Sequence, residues 1–227
     1  VFVFQKKMVN VKEIGKVINI LKKESKKYNV PSATHIGTTT KDPFKVLISC
    51  LISLRTKDEI TNKVSKRLFE KASNVKEMLK LSEKEIAKLI YPCAFYNIKA
   101  KRIKEICKTL IKNYNGKVPD DVNELLKIKG IGRKTMGIVM CYGFGKTVSI
   151  PVDSHVHEVS NRLGWVKTKN PEKTEIELMK IIPRRYWQDF NDLFVTWGQN
   201  ICVPVSPYCS KCAIYDYCKR VNVKYSR

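Results

Sequence analysis

Leu126-Lys127-Ile128-Lys129-Gly130-Ile131-Gly132-Arg133-Lys134-Thr135 is the stretch that decides the fold of this chain. An amphipathic segment leads into it, and a second helical segment begins near Lys134 and ends at Phe144-Gly145. The glycines between them have a physical use. Without side chains they can take positive φ and bring the backbone close to a phosphate, while amides at the next helix start point outward as donors. Gly-x-Gly alone is commonly an ordinary turn between helices. Followed by Arg133-Lys134 in a strongly basic chain, it predicts a helix-hairpin-helix over about 121–144, with Lys129, Gly130, Ile131, Gly132 and Arg133 beside phosphates. Such contacts position a protein on nucleic acid without reading its sequence.

Helical periodicity extends outward from the hairpin in both directions. Ile14, Val17, Ile18 and Leu21 form one apolar stripe, and Ala100, Ile103, Cys107, Leu110 and Ile111 form another. Pro43 opens a segment whose Val46–Leu54 stretch is apolar on nearly every side, which predicts a central buried helix. Ser82 with Glu85 predicts a capping box, and Asp121 with Glu124 a second. No long alternation of period two argues for a sheet. The fold class is therefore all-α.

Composition limits the partners. The 227 residues carry 44 Lys and Arg against 21 Asp and Glu, a formal net charge of +23. With 43% hydrophobic residues the chain can bury a core, which excludes wholesale disorder. No run approaches the ~20 apolar residues of a membrane span, and the amino-terminal VFVF, ahead of Lys6-Lys7, is too short for a signal peptide. An intracellular location is expected. Charge of this size points to a polyanion, nucleic acid before membrane, although heat-adapted surfaces also carry many charges.

The eight cysteines fall into two groups. Cys50, Cys93, Cys107 and Cys141 are scattered through apolar segments and read as core. Cys202, Cys209, Cys212 and Cys218 lie close together, with two residues between the middle pair. An intracellular chain has little use for so many thiols as disulfides, so metal or cluster ligation is the better account. Spacing by itself leaves structural zinc and a [4Fe–4S] cluster equally open.

Two further residues suggest catalysis. Lys134 sits at the opening turn of a helix beside Arg133, where the helix end and a neighbouring cation both disfavour an ammonium. A lysine so placed can be a nucleophile; otherwise it is a phosphate contact. In Ile150-Pro151-Val152-Asp153-Ser154-His155-Val156, Asp153 stands at the start of another helix. There it caps the helix, and its carboxylate suits the stabilisation of a developing cation. His155 and His157 are two apart and share no helix face, so they make no metal pair.

Together the hairpin, Val152-Asp153-Ser154-His155-Val156 and the four-cysteine spacing resemble endonuclease III, of the helix-hairpin-helix DNA glycosylases. The resemblance extends to Pro43–Ile48, Thr56-Lys57-Asp58, Phe95-Tyr96-Asn97-Ile98-Lys99-Ala100 and Asn161-Arg162-Leu163-Gly164-Trp165. It implies a bifunctional glycosylase and abasic-site lyase of base excision repair that removes oxidised pyrimidines. Lys134 would attack C1′ of the damaged nucleotide and form a Schiff base that undergoes β-elimination, and Asp153 would assist it. The resemblance also implies a [4Fe–4S] cluster on Cys202, Cys209, Cys212 and Cys218. The expected partner is double-stranded DNA with damaged bases or abasic sites, with no membrane, and a monomer is expected in the cytoplasm and nucleoid, or the nucleus of a eukaryote.

Some positions depart from the family pattern. Lys129 stands where proline is more usual. Arg55 replaces a glutamine that fills the gap left by the flipped nucleotide, and arginine can fill and hydrogen-bond there too. Val203–Tyr208 lacks basic residues that often touch DNA, for which Lys211, Lys219 and Arg220 can compensate. The expected architecture is a helical, barrel-like domain over 36–148 containing the hairpin, and a cluster domain made of 1–35 plus 149–227, with the DNA-binding cleft between them. Two other readings are a monofunctional adenine or thymine mismatch glycosylase, which usually lacks the lysine, and a non-catalytic DNA-binding module, which has no need of Asp153.

Overall fold

The structure is a computed structural model that describes residues 11–29 and 31–227. The amino-terminal VFVF lies outside the described residues. Among those described there are helices and turns and no strand, and no helix is long and apolar enough to cross a membrane. Two compact units are formed: Val30–Pro151, and the residues up to Asn29 joined with Val152–Arg227.

The contiguous unit holds α2 (Ser32–Thr40), α3 (Pro43–Ser53), α4 (Asp58–Lys71), α5 (Val75–Lys80), α6 (Glu83–Ile90), α7 (Tyr96–Tyr114), α8 (Val122–Lys127) and α9 (Arg133–Ile138). Its boundaries fall outside the expected 36 and 148. Helix α2 packs against α3, and Ser32 is tied to α4 by its N–H to Asp58 Oδ1 (3.0 Å) and its hydroxyl to the Asp58 carbonyl (2.8 Å). At the other end Gly137 lies so close to Ser149 and Pro151 that a Cβ there would come within 2.9 Å of Ser149 Oγ.

Helix α3 is the buried centre that its composition predicts. Asp42 caps it by accepting from the Phe44 and Lys45 N–H groups, and Pro43 occupies the first turn, where a missing N–H costs nothing. From Phe44 to Ile52 all residues but Lys45 are buried, although Leu54, at the end of the apolar run, is 47% exposed. Each fully buried aliphatic side chain contributes about 1.5–3 kcal/mol, so this helix anchors the unit. The α7 stripe differs from expectation at one position. Ile106 joins Ala100, Ile103, Cys107 and Leu110 in the core, while Ile111 is 39% exposed.

Both sequence caps of this unit form, but only one is reciprocal. Ser82 and Glu85 make a complete capping box. Asp121 accepts from the Asn123 and Glu124 N–H groups, whereas the Glu124 carboxylate turns away to Tyr114 Oη (3.0 Å) and Lys127 Nζ (2.5 Å). The second capping box is thus a single cap, because a tyrosine and a lysine compete for its glutamate.

The split unit contains α1 (Val11–Glu24), α10 (Ser154–Leu163), α11 (Pro171–Ile181) and α12 (Trp187–Asn200). Helix α1 buries Ile14, Val17, Ile18 and Leu21 and packs on α12, which also meets α10. Phe190 and Phe194 stack with ring centroids 4.0 Å apart and lie against Trp165. Beyond Ile201 the described chain has only short 3-10 turns.

Candidate functional site

The hairpin joins α8 to α9 through Ile128–Gly132, and its two glycines do different things. Gly130 has φ +97°, and a Cβ there would meet Arg102 Cδ at 2.7 Å. The positive φ is what requires glycine, since the flexible Arg102 side chain can shift. Gly132 is extended, with φ −97° and ψ 176°, and a Cβ there would meet nothing within 4 Å. Open space over Gly132 is what a phosphate approaching the backbone requires. Lys129 and Arg133 are exposed beside it. Ile131 differs from its neighbours: its side chain is 5% exposed and its N–H donates to the Ile128 carbonyl (3.0 Å), so it packs the hairpin from inside.

Lys134 falls in the first turn of α9 and is half-buried. It lies beside α3: burial pushes the Cys50 thiol up to about 12, and the charge of Lys134 pulls in the opposite direction. Helix α9 is only six residues long and passes into a π-helical turn at Val139–Gly143, so the single helix expected to Phe144-Gly145 changes its winding midway. π-Turns of this kind are frequent at functional sites.

In the other unit Asp153 is the N-cap of α10, where Oδ1 accepts from the Val156 N–H at 2.9 Å. The neighbouring histidines have separate roles. His157 Nδ1 is 2.6 Å from Thr174 Oγ1, and His155 packs against Gly198, where a Cβ would come within 2.8 Å of it.

Cys50, Cys93, Cys107 and Cys141 are buried, whereas Cys202, Cys209, Cys212 and Cys218 are half-buried and line one cavity. Among the described residues no group of three or more His, Cys, Asp and Glu side chains is arranged for a single metal ion. Burial raises the Cys202 and Cys218 thiols and carries Cys212 to about 11, the state of bare thiols that bound iron would reverse. Donors already reach the sulfurs: Arg162 Nη1 lies 3.4 Å from Cys202 Sγ, and the Arg220 N–H lies 3.4 Å from Cys218 Sγ. Bonds of this type tune thiolate-held clusters.

Sequence reasoning missed the residue that orders this loop. Arg162 is 7% exposed; it donates to the carbonyls of Cys202 (3.1 Å), Val203 (2.8 Å) and Pro204 (2.7 Å), and pairs with Glu158 at 2.6 Å. The chain end closes over the same loop. Arg227 Nε donates to the Ser206 carbonyl (3.0 Å), and its guanidinium lies 4.1 Å from the Tyr208 ring centroid. Arg55, after α3, is exposed with φ +54°, and its guanidinium stands 5.8 Å from the Phe95 ring centroid.

A glycine-bearing hairpin followed by a lysine, a capping aspartate and four clustered thiols in an all-helical chain define a class of DNA-repair protein. Residues 48–184 match the family described as HhH-GPD superfamily base excision DNA repair protein. Endonuclease III of Thermotoga maritima is 46% identical over 178 residues, which cover 78% of this chain and 83% of that protein. Endonuclease III-like protein 1 of Gallus gallus is 37% identical, over 77% of this chain and 63% of that one. The chain belongs to the endonuclease III family of this superfamily. Among solved structures, a trapped endonuclease III-DNA covalent intermediate is 33% identical with a TM-score of 0.82, over 94% of this chain and 97% of that chain. A thermostable thymine-DNA glycosylase is 26% identical with a TM-score of 0.77, over 92% and 96%.

Proposed function

We propose that Lys134 is the nucleophile and Asp153 the assisting carboxylate of this DNA glycosylase and abasic-site lyase of base excision repair, and that its substrates are oxidised pyrimidines in double-stranded DNA. The observation that carries the reading is the place of Lys134, half-buried beside Cys50 in the first turn after Gly132, in a family with a trapped covalent DNA intermediate.

Attack by the neutral amine on C1′ forms a C–N bond as the glycosidic bond breaks, and the base leaves with a proton. Opening of the sugar ring gives a protonated imine, which acidifies the C2′ proton. Loss of that proton expels the 3′ phosphate, and water then releases the lysine. Covalent catalysis of this kind replaces one difficult step by several easier ones. The fixed negative charge of Asp153 stabilises the cationic sugar as the base departs. Gly132, Arg133 and Lys129 hold the phosphates, and Arg55 fills the gap left by the extruded nucleotide. Extrusion costs a few kcal/mol, least for a base that pairs badly.

Cys202, Cys209, Cys212 and Cys218 would hold a [4Fe–4S] cluster, which when bound supplies a redox-capable cross-link among the four thiolates. Support comes from the all-thiol donor set, the common cavity and the N–H groups aimed at the sulfurs. Purified protein is expected to be coloured and to contain iron and sulfide; a colourless zinc protein overturns the assignment.

Borohydride is expected to trap the wild-type protein on abasic-site duplex, and Lys134→Ala to abolish the adduct while retaining binding. Asp153→Asn should slow base removal. No adduct from the wild type sinks the lysine assignment, and an unchanged rate in Asp153→Asn sinks that of the aspartate. Single-lesion duplexes test the preference for oxidised pyrimidines. Affinity should fall by ~0.9 log units per log unit of salt for each phosphate neutralised.

A further inference from the structure

Lys99 on α7 is a buried cation that the chemistry above does not use. It is 7% exposed, and its Nζ donates to the carbonyls of Ile52 (2.6 Å) and Leu54 (2.7 Å) and to Thr56 Oγ1 (2.9 Å). An ammonium has three protons, so all are committed. Burial pulls its pKa below the ordinary lysine range, the sign of an ammonium kept out of water and dependent on these acceptors. The acceptors bracket a single residue. Ile52 and Leu54 precede Arg55, Thr56 follows it, and Arg55 itself adopts φ +54°, a conformation that L-residues seldom take.

One of these atoms reaches a second turn. Thr56 Oγ1 also accepts from the Ala94 N–H at 3.1 Å, while the backbone N–H of Lys99 makes the first-turn helical bond to the Phe95 carbonyl at 3.0 Å. Phe95 has φ +58° and is 55% exposed, with its ring beside the Arg55 guanidinium. Two left-handed turns forty residues apart are therefore joined through the Thr56 hydroxyl, which the buried ammonium holds from the side of the Arg55 turn. Backbone strain of this sort persists only where the surroundings over-determine it, and it collects at functional sites.

We propose that Lys99, with Thr56 as its relay, is a positioning residue for base extrusion: it locks the Arg55 turn against the Phe95 turn so that Arg55 is preformed to enter the gap in the duplex. The proposal rests on the reading of Arg55 as the gap-filling residue. Preformed geometry matters because Arg55 otherwise loses side-chain and loop freedom when it enters DNA, and that loss weakens the extruded complex.

The test compares one oxidised pyrimidine in a fully paired duplex and in an unpaired bubble, where no stacked gap needs filling. Lys99→Met keeps the apolar stem and removes the donors. It is expected to lower kcat/KM on the duplex by about tenfold and to leave the bubble within about twofold. Thr56→Val, which only breaks the relay, should show the same substrate dependence more weakly and serves if Lys99→Met does not fold. In an Arg55→Ala background neither substitution should slow the duplex reaction further, since residues acting as a unit are not additive. Equal loss on duplex and bubble, or full additivity with Arg55→Ala, overturns the positioning role. An Arg55→Ala protein that excises from duplex at the wild-type rate overturns the underlying reading of Arg55 instead.

Discussion

The two units are stabilised by different means. Val30–Pro151 is built around α3, whose Val46, Leu47, Ile48 and Ile52 are fully buried, and its polar contacts mainly finish helix ends. The last part of the split unit, after Ile201, has short 3-10 turns and a cavity lined by four thiols, with carbonyls gathered on Arg162. The first is an apolar core that happens to carry a hairpin. The second is a loop whose carbonyls are gathered on one buried cation, Arg162. The lysine of the proposed chemistry rests on the first, whereas the proposed cluster would make the second sensitive to oxidation and chelation.

Removing a thiol should separate the units most sharply. Cys209→Ser is expected to abolish hydrogen-exchange protection over 201–227 and leave α3 protected; equal loss in both would erase the contrast. Next in size is the core itself. Leu47→Ala should lower the unfolding free energy by about 2–5 kcal/mol in denaturant melts, with iron content per folded molecule unchanged. Arg162→Met, which strands the carbonyls of Cys202, Val203 and Pro204, should cost about 1–3 kcal/mol and speed iron loss to a chelator. A normal rate of loss would show that the thiols order the loop without it.

The smallest effect belongs to the contiguous unit. Ser82→Ala removes a cap worth about 0.5–2 kcal/mol and should not alter iron retention. In the wild type the Ser82 N–H holds the Glu85 carboxyl below its ordinary 4.5. Its contribution is present in full above that value and fades as pH falls through the lower folded one. Ser82→Ala keeps that N–H and loses only the hydroxyl, so the Glu85 titration, followed by carboxyl NMR, is expected to rise slightly and to stay below 4.5.

Legibility in the sequence followed distance along the chain. The Ser82, Asp121 and Asp153 caps, the buried faces of α1 and α3, and the hairpin glycines are local, since a residue three or four positions away decides them. The differences arose where another group competed for the same atom or space. Glu124 left its cap for Tyr114, ten residues earlier, and for Lys127, Ile111 yielded its place in the core to Ile106, and the Ile131 side chain is buried within the hairpin. The four cysteines were visible as a group, but nothing nearby pointed to Arg162, forty residues earlier, as the residue that gathers their loop.

By itself the sequence determined an all-helical chain, its basic character, a glycine hairpin followed by a lysine, and a set of thiols able to ligate. Helical period, capping and ligand spacing act over a few residues, and a linear reading captures them. Tertiary structure alone decided that Gly130 is closed by Arg102 while Gly132 stays open, and that Lys99 and Thr56 bind the Arg55 turn to the Phe95 turn. Those outcomes depend on which buried donor finds which unpaired carbonyl. A buried polar group must be satisfied by whatever packing brings near, and only the folded chain specifies that neighbour.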